Sequence, residues 1–206
     1  MVSRTERARA TRRRVVAAAQ GSFLLKGYGP TTIRGVAEDA QVSQETIYKS
    51  FGTKAALLKA VYDVVLAGDE APVPLADRPE IQRVRAQSTA VGAARAYAEL
   101  ALKIDARVGA LVLIASRSQG TDAELSQFVS TIEQERAAGT LGLTRHWGAA
   151  GFLRDDVTVE RARDIVWMLV SPEILAMRRR QGWSDEEYVQ WIVDTLAATA
   201  LRPEAP

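Results

Sequence analysis

Between Thr31 and Lys54 the sequence reads TTIRGVAEDAQVSQETIYKSFGTK, and its apolar spacing breaks and restarts within a few residues. Ile33, Val36, Ala37 and Ala40 follow the i, i+3, i+4, i+7 spacing of one buried helical face. Ala40-Gln41-Val42-Ser43 interrupts that period as a tight corner. There Val42 can plug the core, and Ser43 is a good N-cap for a helix opening at Gln44. This second helix is short, with Ile47 and Phe51 packing inward at i, i+4. Gln44, Glu45, Thr46, Tyr48 and Lys49 are left outward. The pattern predicts a helix-turn-helix whose second helix suits base edges and phosphates in the major groove of double-stranded DNA.

Charge points the same way. Residues 1–54 hold ten Lys and Arg against four Asp and Glu, a net +6, whereas residues 55–206 net −4. The overall +2 therefore conceals a polarised chain whose basic end coincides with the helix-turn-helix. Such asymmetry supplies a sequence-independent pull on phosphate. A solvated arginine run at a frayed terminus would be the bland reading, and adjacency to the module argues against it.

Residues 13–58 resemble the N-terminal domain of the tetracycline-repressor (TetR) family of bacterial transcription regulators. The resemblance is carried by RRRVVAAA, F-x-x-x-G-Y from Phe23 to Tyr28, TTIRGVA, VS, TIY and FGTKAALL. It implies an all-helical homodimer: an N-terminal helix-turn-helix domain followed by a variable helical domain that often senses a small ligand and dimerises. Three departures stand out. Gln41 occupies a corner position where the family uses Gly, at a cost of ~1 kcal/mol if left-handed. Ala56 replaces the acid that would close a capping box with Thr53. Gln20, Gly21 and Ser22 weaken the middle of the first helix.

The candidate DNA contacts follow from placement. Gln44, Glu45 and Thr46 occupy the first turn after Ser43, where this docking mode meets base edges, and Tyr48 and Lys49 lie late on the same face. Glu45 would repel phosphate, so it accepts from a cytosine N4, stabilises the positive helix N-terminus or orients a basic neighbour, the second being the expected role. Thr31 or Thr32 caps the preceding helix and can bond a phosphate, and Arg34 lies just inside. By analogy with the family, Lys54 is a phosphate clamp. Arg12, Arg13 and Arg14 are expected to add backbone contacts, some from a disordered basic arm.

The rest of the chain reads as helix, so the expected fold class is all-α, with a DNA-binding domain over 1–54 and a regulatory and dimerisation domain over 55–206. Leu57, Leu58, Val61, Tyr62, Val65 and Leu66 give one apolar face from Thr53 to about Ala67. Ala71-Pro72-Val73-Pro74 breaks it, and the polar stretch to about Gln87 is expected to be mobile. Helices are predicted over Ala93 to Lys103 and Arg107 to Gln119. Thr121-Asp122-Ala123-Glu124 is a capping-box pattern, and boundaries between Gly139 and Gly151 cannot be placed. Pro172, with Ser171 as cap, kinks or restarts a helix, and Ser184-Asp185-Glu186-Glu187 opens the last one.

The last helices resemble the family's dimerisation pair. The interface candidates are Ile165, Leu169, Tyr188, Trp191, Ile192, Thr195 and Leu196, against the alternative that both helices only close the monomer core. The effector is unknown; the candidate lining is Tyr97, Lys103, Arg117, Phe128, Trp147, Trp167 and Met168.

Enzyme readings fare poorly. The chain has one His and no Cys, which removes Cys/His zinc sites, disulfides and thiol nucleophiles together. No cofactor or metal is expected. No signal peptide or membrane-spanning run is evident, so a cytoplasmic, nucleoid-associated location is expected. The function expected is a ligand-responsive regulator, in all expectation a repressor, that binds a palindromic operator. The competing class is a helical interaction protein, or a DNA-binding dimer without a ligand.

Overall fold

The computed structural model describes residues 3–68, 78–120 and 122–203. Apart from an isolated antiparallel bridge between Leu153 and Leu201, every regular element among these residues is helical. The chain divides into two compact units, residues 1–70 with 110–131 and residues 71–109 with 132–206. The division does not fall at residue 54, where the sequence placed it.

In the first unit, α1 (Arg4–Lys26) opens on a complete capping box. Ser3 Oγ accepts from the Glu6 amide at 3.1 Å, and Glu6 accepts from the Ser3 amide at 2.6 Å. This corrects the expected disordered arm: with Ser3 capping and arginine a good helix former, the chain is helical from Arg4 onward. Val15, Val16, Ala19 and Phe23 bury the inner face, and Phe23 stacks on Tyr28 at 6.0 Å between centroids. Helices α2 (Ile33–Asp39), α3 (Gln44–Phe51) and α4 (Lys54–Ala67) follow. Leu57, Leu58 and Val61 of α4 are fully covered, and α4 packs on α1, which ties it to this unit.

The rest of the first unit comes from α7 (Ala110–Ser118) and the start of α8 (Ala123–Ala149). Thr121 lies outside the described residues. Asp122 caps α8 instead, its Oδ1 accepting from the amides of Glu124 and Leu125 at 2.9 and 3.2 Å. Its other oxygen accepts from the Tyr28 hydroxyl at 2.8 Å, and Glu124 accepts from the Thr53 hydroxyl. The acid missing at Ala56 is thus offset: Thr53 Oγ1 accepts from the Ala56 amide and finds a carboxylate far along the chain.

The second unit holds α5 (Pro79–Arg85), α6 (Ala90–Ile104), most of α8, α9 (Val159–Leu169), α10 (Pro172–Arg180) and α11 (Asp185–Thr199). Ala93, Ala94 and Ala98 let α6 lie close against α11, whose Tyr188, Ile192 and Leu196 are fully buried with Trp147 and Val166. The segment expected to be mobile up to Gln87 contains α5, with Pro79 in its first turn and Val84 buried. The Ala71–Pro74 break lies outside the described residues. The Gly-rich stretch holds a boundary only at its end, since α8 runs unbroken through Gly139, Gly142 and Gly148 and stops at Ala149.

The sequence also suggested a break between Lys103 and Arg107. A π turn over Asp105–Gly109 carries the chain there without interruption. Asp105 is buried and ion-paired with Arg179, and a Cβ at Gly109 would meet Asp105 Oδ1, so any larger residue there would have to displace that carboxylate.

Candidate nucleic-acid interface

The helix-turn-helix is built by its caps. Thr32 Oγ1 accepts from the Gly35 amide at 3.1 Å and starts α2. The chain leaves α2 at Ala40 and turns at Gln41, whose φ of 54° makes it the one non-glycine residue with positive φ among the described residues. Val42 then donates to the Ala37 carbonyl at 3.0 Å. Ser43 Oγ accepts from the Thr46 amide at 3.1 Å and starts α3. The left-handed corner anticipated for Gln41 is therefore present, with the strain of a side chain in that region.

On α3, Ile47 is buried while Gln44, Glu45, Tyr48 and Lys49 are exposed, Tyr48 by 53%. Thr46 is half-buried, its hydroxyl 2.9 Å from Ser43 Oγ, so it supports the cap more than it faces outward. Phe51 closes the helix beneath the Arg12 guanidinium, 4.6 Å from its ring centroid. That contact orients a cation beside α3, and α1 also presents exposed Arg13 and Arg14. Arg34 forms an exposed i, i+4 pair with Glu38 at 2.9 Å, a contact weak enough to exchange for a phosphate.

Two candidates are reassigned. Thr31 is buried and its hydroxyl donates to the Gly27 carbonyl at 2.7 Å, so it holds the α1–α2 loop and cannot reach a phosphate. Lys54 is half-buried, not outstretched. Its Nζ donates to the carbonyls of Tyr28, Thr31 and Gly29 at 2.9, 3.2 and 3.4 Å and lies 4.2 Å from the Tyr28 ring centroid. Its pKa is lowered, chiefly by that burial. In this arrangement it clamps the loop from within.

Residues 15–61 match the family model of the bacterial regulatory proteins of the tetR family. Residues 15–61 are therefore a tetR-family domain, the DNA-binding domain of a transcriptional regulator. Solved structures extend the likeness beyond the tetR-family domain. The SmeT–triclosan complex aligns with a TM-score of 0.69 at 19% identity, covering 96% of this chain and 99% of that one. NalD, the secondary repressor of the MexAB-OprM multidrug efflux pump in Pseudomonas aeruginosa, aligns with a TM-score of 0.70 at 17% identity, covering 97% and 100%. A transcriptional regulator from Saccharomonospora viridis in complex with choline gives 0.69 at 14%, covering 93% and 98%. At these identities the likeness is one of fold. No curated protein matches the chain.

Outside the tetR-family domain, the candidate ligand residues separate. Phe128 and Arg117 belong to the first unit, Phe128 packed edge-on against Tyr62 at 5.6 Å and Arg117 exposed. Lys103 lies on the rim of a shallow dimple with Arg78, Glu80 and Arg107, of about 10 Å³ and so roomy enough for about one water. Met168 is exposed. In the second unit Tyr97 and Trp147 come together, and Trp167 lies against Arg136, whose guanidinium is 5.4 Å from its ring centroid. Tyr97 meets Trp147 edge-on at 6.4 Å, and its phenol approaches two residues the sequence did not single out, Thr140 and Arg136. Burial pushes the Tyr97 phenol up to about 12.

The interface candidates also divide. Tyr188, Ile192 and Leu196 are fully buried within one chain, so they close the monomer core and cannot form an interface. The reason is geometric: the 188/192/196 stripe faces α6, and its Tyr188 hydroxyl donates to the Leu169 carbonyl at 2.9 Å. Ile165, Leu169, Trp191 and Thr195 are half-buried. The apolar side chains that the second unit leaves exposed include Met168, Met177 and Trp183, the last edge-on to Trp191 at 5.8 Å. None of the described helices is long and apolar enough to cross a membrane, and no cluster of potential metal ligands occurs among the described residues.

Proposed function

We propose that this regulator binds a palindromic operator as a homodimer and represses transcription until a small-molecule effector releases it. The observation that carries the DNA side is the exposed face of α3, Gln44, Glu45, Tyr48 and Lys49, mounted on a fully capped corner beside Arg12, Arg13 and Arg34. Phosphate contacts from the arginines would set register, and the α3 side chains would read base edges. Two such heads related by two-fold symmetry would need half-sites about 34–36 Å apart. For the dimer, Met168, Met177 and Trp183 are the exposed apolar surface available, with half-buried Ile165, Leu169, Trp191 and Thr195 beside them. Repression and effector release are supported by relatives in fold, one a repressor and two bound to small molecules.

Genomic footprinting with the purified protein tests the reading. A palindromic site should emerge, and Tyr48→Ala or Lys49→Ala should each reduce affinity for it by about 1–3 kcal/mol wherever the contact reads a base. Footprints unchanged in both variants would remove α3 as the reading helix. In sedimentation, Met177→Glu with Trp183→Glu should yield folded monomers with weakened operator binding. A wild type already monomeric at micromolar concentration would end the dimer reading.

A further inference from the structure

The loop ahead of α2 and the junction behind α3 are both tied to one place, the first turn of α8. Ahead of α2, the Tyr28 hydroxyl donates to Asp122 Oδ2 at 2.8 Å. Tyr28 is buried and stacks on Phe23 of α1, and the Lys54 ammonium lies 4.2 Å from its ring centroid. That ammonium donates to the carbonyls of Tyr28, Gly29 and Thr31, so the ring and the loop leading to the Thr32 cap are held as one piece. Behind α3, Gly52 ends the helix and Thr53 caps α4 by accepting from the Ala56 amide. The Thr53 hydroxyl donates in turn to Glu124. The whole helix-turn-helix, residues 32–52, therefore lies between two anchors that sit two positions apart on α8.

These anchors are acids beside the basic segment 1–54. Carboxylates there repel phosphate at long range, so they act against DNA binding unless they hold something that binding needs. Asp122 is itself fixed on α8, its Oδ1 accepting from the amides of Glu124 and Leu125 at 2.9 and 3.2 Å while Oδ2 faces Tyr28. We propose that Asp122 and Glu124 are positioning residues for operator binding: they hold the two flanks of the helix-turn-helix, so that α3 meets the groove already oriented. Affinity rises because the free protein has less orientational freedom to lose on binding. The inference rests on α3 as the reading helix and adds two residues that act without touching DNA.

The test is the affinity of the full chain for a duplex carrying the footprinted site, measured well below Tm and across a salt series. Asp122→Ser keeps an N-cap hydroxyl for α8 but is too short to reach Tyr28, and Glu124→Ala removes the acceptor of Thr53. Each should weaken binding about fivefold, less than the full value of a hydrogen bond to a charged group, because the free variants keep part of the arrangement. Glu124→Gln, which retains an acceptor oxygen, should return affinity to within about twofold of wild type. The sign is diagnostic: removing an acid tightens DNA binding through net charge alone, whereas losing the positioning weakens it. The slope of log K against log salt should keep its wild-type value, since no phosphate contact is lost. Thermal melts establish that the variants fold. Affinity unchanged or raised in folded Asp122→Ser or Glu124→Ala, Glu124→Gln no better than Glu124→Ala, or a slope reduced by about 0.9 per substitution would overturn the proposal. Tyr48→Ala measured alongside separates the two readings. Wild-type affinity in Tyr48→Ala removes α3 as the reading helix, whereas wild-type affinity in the α8 variants with Tyr48→Ala weakened overturns the positioning role alone.

Discussion

Replacing Lys54 by Met separates a loop clamp from a phosphate clamp. The ammonium donates to three carbonyls at 2.9–3.4 Å and sits over the Tyr28 ring. A charge-assisted hydrogen bond contributes roughly 1.5–3 kcal/mol when well formed, and a cation–π contact about 0.5–1 kcal/mol at an exposed site. Both are discounted here: one bond is long, the side chain is half-buried, and water can replace it at part of the loop. The net loss expected is about 1–2 kcal/mol, because Met retains the apolar stem. At roughly 2–4 °C per kcal/mol for a chain of this size, Tm should fall by about 2–8 °C. The decisive assay is operator affinity across a salt series. An internal clamp leaves the slope of log K against log salt unchanged, whereas a lost phosphate contact reduces it by about 0.9. An unchanged Tm with a shallower slope would refute the loop-clamp reasoning.

Further outcomes follow from the same geometry. Gln41→Gly should stabilise the protein by about 1 kcal/mol in urea denaturation, since the φ of 54° favours glycine. Gly109→Ala should destabilise it by about 1–2 kcal/mol, because collision with Asp105 at the π turn exceeds the ~1 kcal/mol helix gain of alanine; stabilisation would show that Asp105 has room to move. Asp122 is held below its usual pKa first by the Tyr28 hydroxyl and then by the α8 amides, so its contribution is present above about pH 4 and is lost as pH falls further. Tyr28 is raised, mainly by burial, so its contribution is present below about pH 10 and is lost as pH climbs past it. Tyr28→Phe should therefore flatten both ends of the stability–pH profile, and a profile identical to wild type would exclude the Tyr28–Asp122 pair as their cause.

What the sequence determined by itself is local. The caps at Thr32, Ser43, Thr53, Ser171 and Ser184 sit where hydroxyl residues precede apolar periodicity, and each hydroxyl accepts from an amide three residues on. The corner at Gln41 and the exposed face of α3 were legible for the same reason: spacing along one helix fixes which side chains share a face. Tertiary structure decided everything that depends on a partner distant in the chain. Lys54 turned inward because three carbonyls of the α1–α2 loop converge on it, and Thr31 because Gly27 lies beside it. The stripe at Tyr188, Ile192 and Leu196 is equally apolar whether it meets α6 of its own chain or a second copy, and only packing against Ala93, Ala94 and Ala98 assigned it to the core. Tyr97 of α6 meets Trp147 of α8, and Arg136 of α8 meets Trp167 of α9, contacts that no spacing within one helix could have announced. Hydrogen-bonded periodicity is written along the chain, whereas the choice among equally apolar or equally charged partners is made by the contacts that close the fold.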